Sequence, residues 1–186
     1  MLELNFSPFP VLKTPRLLLR EVTMNDAEKL FVLRRDAEVM RYIDRPLHRN
    51  IADTQELLTK MSDGIKNNEA ICWAIALHGS DDLVGTISFH RIEKEHHRGE
   101  IGYMLHSSLW KQGYASEAVE KVIDYGFNVL KLHSIEANIN PDNQASAALL
   151  KKFGFVREAY FKESHFFNDQ FLDAEIFSLL TPVRQK

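Results

Sequence analysis

One cysteine in 186 residues excludes an internal disulfide. No segment approaches the roughly 18 uninterrupted apolar residues of a membrane span. Residues 1–10 hold Pro8 and Pro10 and lack the charged start and apolar core of a secretory signal. Positive charge is not in surplus either: 23 Lys and Arg against 26 Asp and Glu leave a net charge of -3. With no clustered basic run, neither nucleic acid nor a membrane surface is an expected partner. His96-His97 is a pair without metal-ligand spacing, so no metal is expected. Repeats, low-complexity tracts and linkers are also missing. At 45% hydrophobic content the chain reads as a single cytoplasmic domain spanning residues 1–186.

What is present is organised around residues 100–118. Glu100-Ile101-Gly102-Tyr103-Met104-Leu105 alternates and is rich in aliphatic and aromatic side chains, which reads as a strand. After a loop, Trp110-Lys111-Gln112-Gly113-Tyr114-Ala115-Ser116-Glu117-Ala118 opens a helical pattern that continues through Val119, Val122, Ile123 and Gly126. A helix start presents unpaired N–H groups and the positive end of the helix dipole, and small residues let a phosphate approach closely. The glycine pattern excludes two common phosphate sites. No Gly-Lys-Ser/Thr ends the loop, and no triple-glycine turn with a following acid is present.

Gly113-Tyr114-Ala115 after a Gly-Tyr-bearing strand resembles the acetyl-CoA pyrophosphate loop of the GNAT N-acetyltransferases. Within them, Trp110-x-x-Gly113-Tyr114-Ala115-x-Glu117-Ala118 is most similar to the RimJ and RimL branch, which acetylates N-termini of ribosomal proteins. Thr14-Pro15-Arg16-Leu17-Leu18-Leu19-Arg20 resembles that branch's opening strand. Asn143-x-x-Ser146 and Lys152-Phe153-Gly154-Phe155 match its later motifs.

The rest of the chain is consistent with that order. Asn25-Asp26-Ala27-Glu28 and Asp53-Thr54-Gln55-Glu56 read as capping boxes of two helices, the second over about residues 52–66. Residues 71–78 and 83–91 read as an antiparallel strand pair, and residues 133–139 as a strand ended by Pro141. Asn143 caps a helix that Gly154 stops. Residues 155–162 and 174–180 read as closing strands around Asn168-Asp169-Gln170. The expected fold is mixed α/β: a mostly antiparallel seven-stranded sheet with a splayed parallel pair, flanked by about four helices.

The resemblance implies acetyl-CoA as cosubstrate, held by the backbone at Gln112, Gly113, Tyr114, Ala115 and Ser116, with Met104 and Leu105 facing the thioester. An amine acceptor is mostly protonated at neutral pH, so proton removal helps. Glu100 is the candidate base, on the reasoning that a cleft can raise its pKa; Glu136 and His165 are reserves. Leu150 stands where many relatives carry a tyrosine acid. The branch looks instead to Ser146, with Asn143 touching the cofactor. Trp110 replaces the usual Gln or Arg. Lys111, Lys151 and Lys152 read as solvated, Cys72 as core, and Tyr160, Phe161, Phe166, Phe167 and Phe171 as core or subunit contact.

The implied acceptor is a protein N-terminal α-amine. A small-molecule amine and a non-catalytic CoA-binding module are the alternatives. A protein acceptor favours an open, acidic-lined groove, a small one an enclosed pocket. The closing strands would suit a homodimer.

Overall fold

The computed structural model describes residues 1–182. Its single eight-stranded sheet runs in the order β1-β2-β3-β4-β5-β6-β8-β7. The strands are β1 (Leu12–Lys13), β2 (Leu17–Glu21), β3 (Ile71–Leu77), β4 (Leu83–Glu93), β5 (Arg98–Leu105), β6 (Ser134–Ile139), β7 (Val156–Phe167) and β8 (Gln170–Leu180). The helices are α1 (Ala27–Arg35), α2 (Ile51–Lys66), α3 (Tyr114–Asn128) and α4 (Gln144–Lys152). The strand beyond the expected seven is β1, a two-residue edge paired through Leu12 with Leu19 and too short to carry an alternation.

Both capping boxes begin earlier than the sequence suggests, by two residues for α1 and three for α2. The caps are Thr23, which opens a 3-10 turn leading into α1, and Asn50, which opens α2. Asp26 and Asp53 are the reciprocal partners three residues on, accepting from the Thr23 and Asn50 backbone N–H groups at 2.8 and 3.3 Å. For α2 either member of the box can look like the cap when only sequence is read.

The sheet separates two apolar layers. Ala118, Val119, Val122 and Tyr125 of α3, with Ala147 and Leu150 of α4, pack against Ile101, Leu105, Ile135 and Phe177. On the other face Leu30, Leu33 and Leu58 of α1 and α2 pack with Ala74, Leu83 and Met104. Trp73, fully buried in the first layer, satisfies its indole N–H on the Pro10 carbonyl at 2.8 Å. Cys72 is buried as expected, and burial pushes its thiol up to about 12.

All sheet pairings are antiparallel except β5 with β6, and that ladder is short. It joins Arg98 to Ser134, Gly99 to Ile135 and Glu100 to Glu136, then stops. Beyond it β5 stays paired only to β4, out to Leu105 opposite Gly85, while β6 stays paired to β8. The sheet therefore opens as a V whose apex is Glu100 and Glu136.

The closing strands are longer than the sequence suggests, because each extends the other's ladder to a tight turn at Asn168 and Asp169, both at positive φ. The aromatic patch is not core. Tyr160, Phe161, Phe166 and Phe171 are exposed along this outermost hairpin.

Candidate active site

The V between β5 and β6 leaves one edge of residues 101–105 without a neighbouring strand. Successive backbone groups of a strand point to opposite sides. The His106 N–H bonds the Val84 carbonyl at 2.8 Å, toward β4, so the Leu105 N–H faces the gap. Consistently, the Leu105 carbonyl accepts the Trp110 indole N–H at 2.8 Å rather than a β4 donor. The Met104 carbonyl lies against Gly85, on the β4 side. An edge of this kind can bond an extended ligand as an added strand.

Across the mouth of the V stands the start of α3. Gly113, at φ +84°, is its cap residue, and no side chain caps this end. The amides of Tyr114, Ala115 and Ser116 have no intrahelical acceptor and point outward with the helix dipole behind them. Arg16, just before β2, braces the turn. Its guanidinium donates to Glu117 Oε2 at 2.7 Å and the Gln112 carbonyl at 3.0 Å, and stacks 4.3 Å over the Tyr114 ring. Burial alone would raise the Glu117 carboxyl, but Thr14, the Arg16 backbone and the Arg16 guanidinium together hold it below its ordinary range. Lys152 is not merely solvated: its ammonium donates to Ser116 Oγ at 2.6 Å and adds a positive charge to the α3 start.

Alternation along β5 separates the chemistry onto two faces. Glu100, Gly102 and Met104 lie on the α1 and α2 face, and Tyr103 lies on the α3 and α4 face. Glu100 Oε1 sits 3.3 Å from His90 Nε2, brought there by a bulge in β4 between Phe89 and Arg91. Gly102 leaves room for that ring; a Cβ there would stand 3.1 Å from His90 Nδ1. The expected upward pKa shift of Glu100 is not found. The His90 hydrogen bond outweighs burial, and with His90, Arg91 and Arg98 nearby the carboxyl is held below its ordinary range. Glu136, beside it, is ion-paired to Arg98.

On the other face Ser146 is buried in the first turn of α4, its N–H held by the capping Asn143 side chain at 3.1 Å. Its Oγ lies 2.7 Å from Tyr103 Oη. Burial pushes the Tyr103 phenol up, partly offset by the Ser146 bond. Tyr103 was visible in the sequence as a strand residue facing away from Glu100, the one signal that it points toward a helix. Leu150 is fully buried in the core.

A cleft of about 490 Å³ opens beside the V, between the α1–α2 connection and the β7–β8 turn. Its lining includes Met40, Arg41, Arg45, Arg49, Asn140 and Phe167. The expected acidic lining for a protein acceptor is absent, because the connection that forms this wall is arginine-rich. His165, a reserve base, is turned to Asp44 at 2.6 Å.

Residues 16–156 match the acetyltransferase (GNAT) domain family. The chain belongs to the GNAT acetyltransferase family. It is 35% identical over 174 residues to the uncharacterized N-acetyltransferase YoaA of Bacillus subtilis (strain 168), covering 94% of this chain and 98% of that one. The crystal structure of a GNAT-family acetyltransferase from Bacillus anthracis superposes with a TM-score of 0.82 at 33% identity, covering 92% and 98% of the two chains. The ribosomal-protein-serine acetyltransferase of Escherichia coli (strain K12) is 33% identical over 98 residues, 53% of this chain and 55% of that one. This GNAT protein is thus an acetyl-CoA-dependent N-acetyltransferase with the mixed α/β fold expected from its sequence. Among the described residues no group of His, Cys, Asp and Glu could hold a metal, and no helix is long and apolar enough to cross a membrane.

Proposed function

We propose that this GNAT enzyme is a single cytoplasmic catalytic domain that acetylates a protein N-terminal α-amine by direct attack in a ternary complex. The observation that carries the reading is the V between β5 and β6, with ionisable groups at its apex and an uncapped helix start at its mouth. The ribosomal-protein-serine relative supports the acceptor class.

Bound acetyl-CoA supplies the thioester. Gln112, Gly113, Tyr114, Ala115 and Ser116 bind its pyrophosphate through backbone N–H groups, with Arg16 and Lys152 adding charge. Met104 and Leu105 flank the arm, Asn143 contacts it near the start of α4, and the Leu105 N–H donates to the carbonyl oxygen. His90 and Glu100 act together as the base. With Nε2–H donated to Glu100, Nδ1 takes the amine proton and Glu100 holds the resulting imidazolium. The Tyr103–Ser146 hydroxyl pair returns a proton to the departing sulfur. The groups for each step are present without a tyrosine at position 150, so the non-catalytic module is the weaker reading.

Incubation with acetyl-CoA and N-terminal peptides tests this. Thiol release with mass added at the α-amine is the expected result; acetylation only of small amines would overturn the acceptor. A homodimer across the exposed β7 aromatics belongs to the same reading, and sedimentation as a monomer at micromolar concentration would remove it.

A further inference from the structure

The cleft beside the V has a charge sign that the chain as a whole does not. The chain carries a net charge of -3, yet Arg41, Arg45 and Arg49 line this cleft against one carboxylate, Asp44. Asp44 is already engaged, 2.6 Å from His165 Nε2. Among the described residues none of the three guanidinium groups belongs to an ion pair. Arg41 stacks over Tyr42, and Arg45 reaches only the Asp44 carbonyl, at 3.4 Å.

The field extends inward. Arg34 is lowered from its ordinary pKa, by burial first and by the charge of Arg45 second. His48, 3.4 Å from Arg34 Nε, is lowered by burial and by Arg34. Guanidinium groups are weakly hydrated forks matched to carboxylate oxygens, so unpaired ones lining a cleft favour an anionic guest.

The cleft is also placed for acceptor recognition. Asn140 follows the end of β6 at the wide side of the V. Met40 lines the cleft and shares an apolar cluster with Met104 of β5. A chain whose amine enters at the V would lay its next residues along these arginines.

We propose that the cleft selects N-termini whose following residues are acidic, with Arg41, Arg45 and Arg49 receiving the carboxylates. This rests on the reading of the acceptor as a protein N-terminus. Polycationic amines meet the opposite sign and are disfavoured.

The test uses peptides identical except that residues three and four are both glutamate, both glutamine or both lysine. Spermine and O-phosphoethanolamine complete the panel. Wild type is compared with Arg41→Glu, Arg45→Glu and Arg49→Glu, exposed positions whose variants are checked by thermal melting. The expected order of kcat/KM is glutamate above glutamine above lysine, by on the order of tenfold per step. The variants compress or reverse it while acetyl-CoA KM stays unchanged. A flat order with efficient peptide turnover overturns this inference and leaves the N-terminal reading standing. O-phosphoethanolamine turnover with silent peptides removes the N-terminal reading and keeps the preference for anions; spermine turnover alone removes both. Calorimetric binding of the three peptides to the CoA-loaded protein reads the same order without catalysis, and equal or absent binding of all three overturns the proposal.

Discussion

Tyr103 Oη and Ser146 Oγ lie 2.7 Å apart and join β5 to the first turn of α4. Burial keeps the phenol protonated through neutral pH, so in the proposed mechanism the pair carries the proton that returns to the departing sulfur. Tyr103→Phe and Ser146→Ala should each lower kcat by about ten- to a hundredfold with little change in acetyl-CoA affinity. The double variant should be little worse than either single one, since the two hydroxyls act as a unit. Independent, multiplying losses would separate them.

Glu100 has its pKa depressed by His90. A depressed carboxyl contributes stability that is full above the unfolded glutamate pKa and lost as pH falls through the folded value. Wild type should therefore lose stability on acidification, just below the ordinary glutamate range, more steeply than Glu100→Gln in urea titrations at several pH values. The same substitution should reduce kcat by about a hundredfold. Parallel pH profiles of stability would mean that His90 does not hold this carboxylate.

The Arg16–Glu117 brace fixes the turn that precedes α3. Arg16 is about half exposed, so the ion pair is worth only about 1 kcal/mol. The larger effect of Glu117→Gln should be several-fold weaker acetyl-CoA binding by calorimetry. Gly113→Ala should act in the same direction, because φ +84° costs a side chain about 1 kcal/mol and the new Cβ would meet Arg16 Nη2 at 3.2 Å. Unchanged cofactor affinity in both variants would place the pyrophosphate elsewhere.

Much of this was legible in the sequence where periodicity runs long. The four helices and the strands from β2 to β6 follow from apolar spacing, and Gly154 adopts the positive φ of a glycine that stops a helix. What escaped depends on partners distant in the chain. Tyr103 meets Ser146 across 43 positions, and no local pattern couples them. His90 reaches Glu100 only because β4 bulges beside it, and a bulge leaves no alternation to read. Asn25 and Asp53 read as caps, yet the caps are Thr23 and Asn50: Asp53 is the far member of its reciprocal box, whose two ends carry the same residue types, and Asn25 lies inside the 3-10 turn that Thr23 opens. Arg41, Arg45 and Arg49 belong to no sequence motif and gain meaning only when the β7–β8 turn closes the far wall of their cleft.

The most direct test is simultaneous measurement of thiol release and acetyl-CoA binding with an N-terminal peptide, for wild type and for Tyr103→Phe. The account predicts turnover by wild type, with the acetyl group at the peptide α-amine, and a large loss of turnover at unchanged binding in the variant. Tight acetyl-CoA binding by wild type with no thiol release on any amine would contradict it and leave a protein that binds the cofactor without transferring its acetyl group.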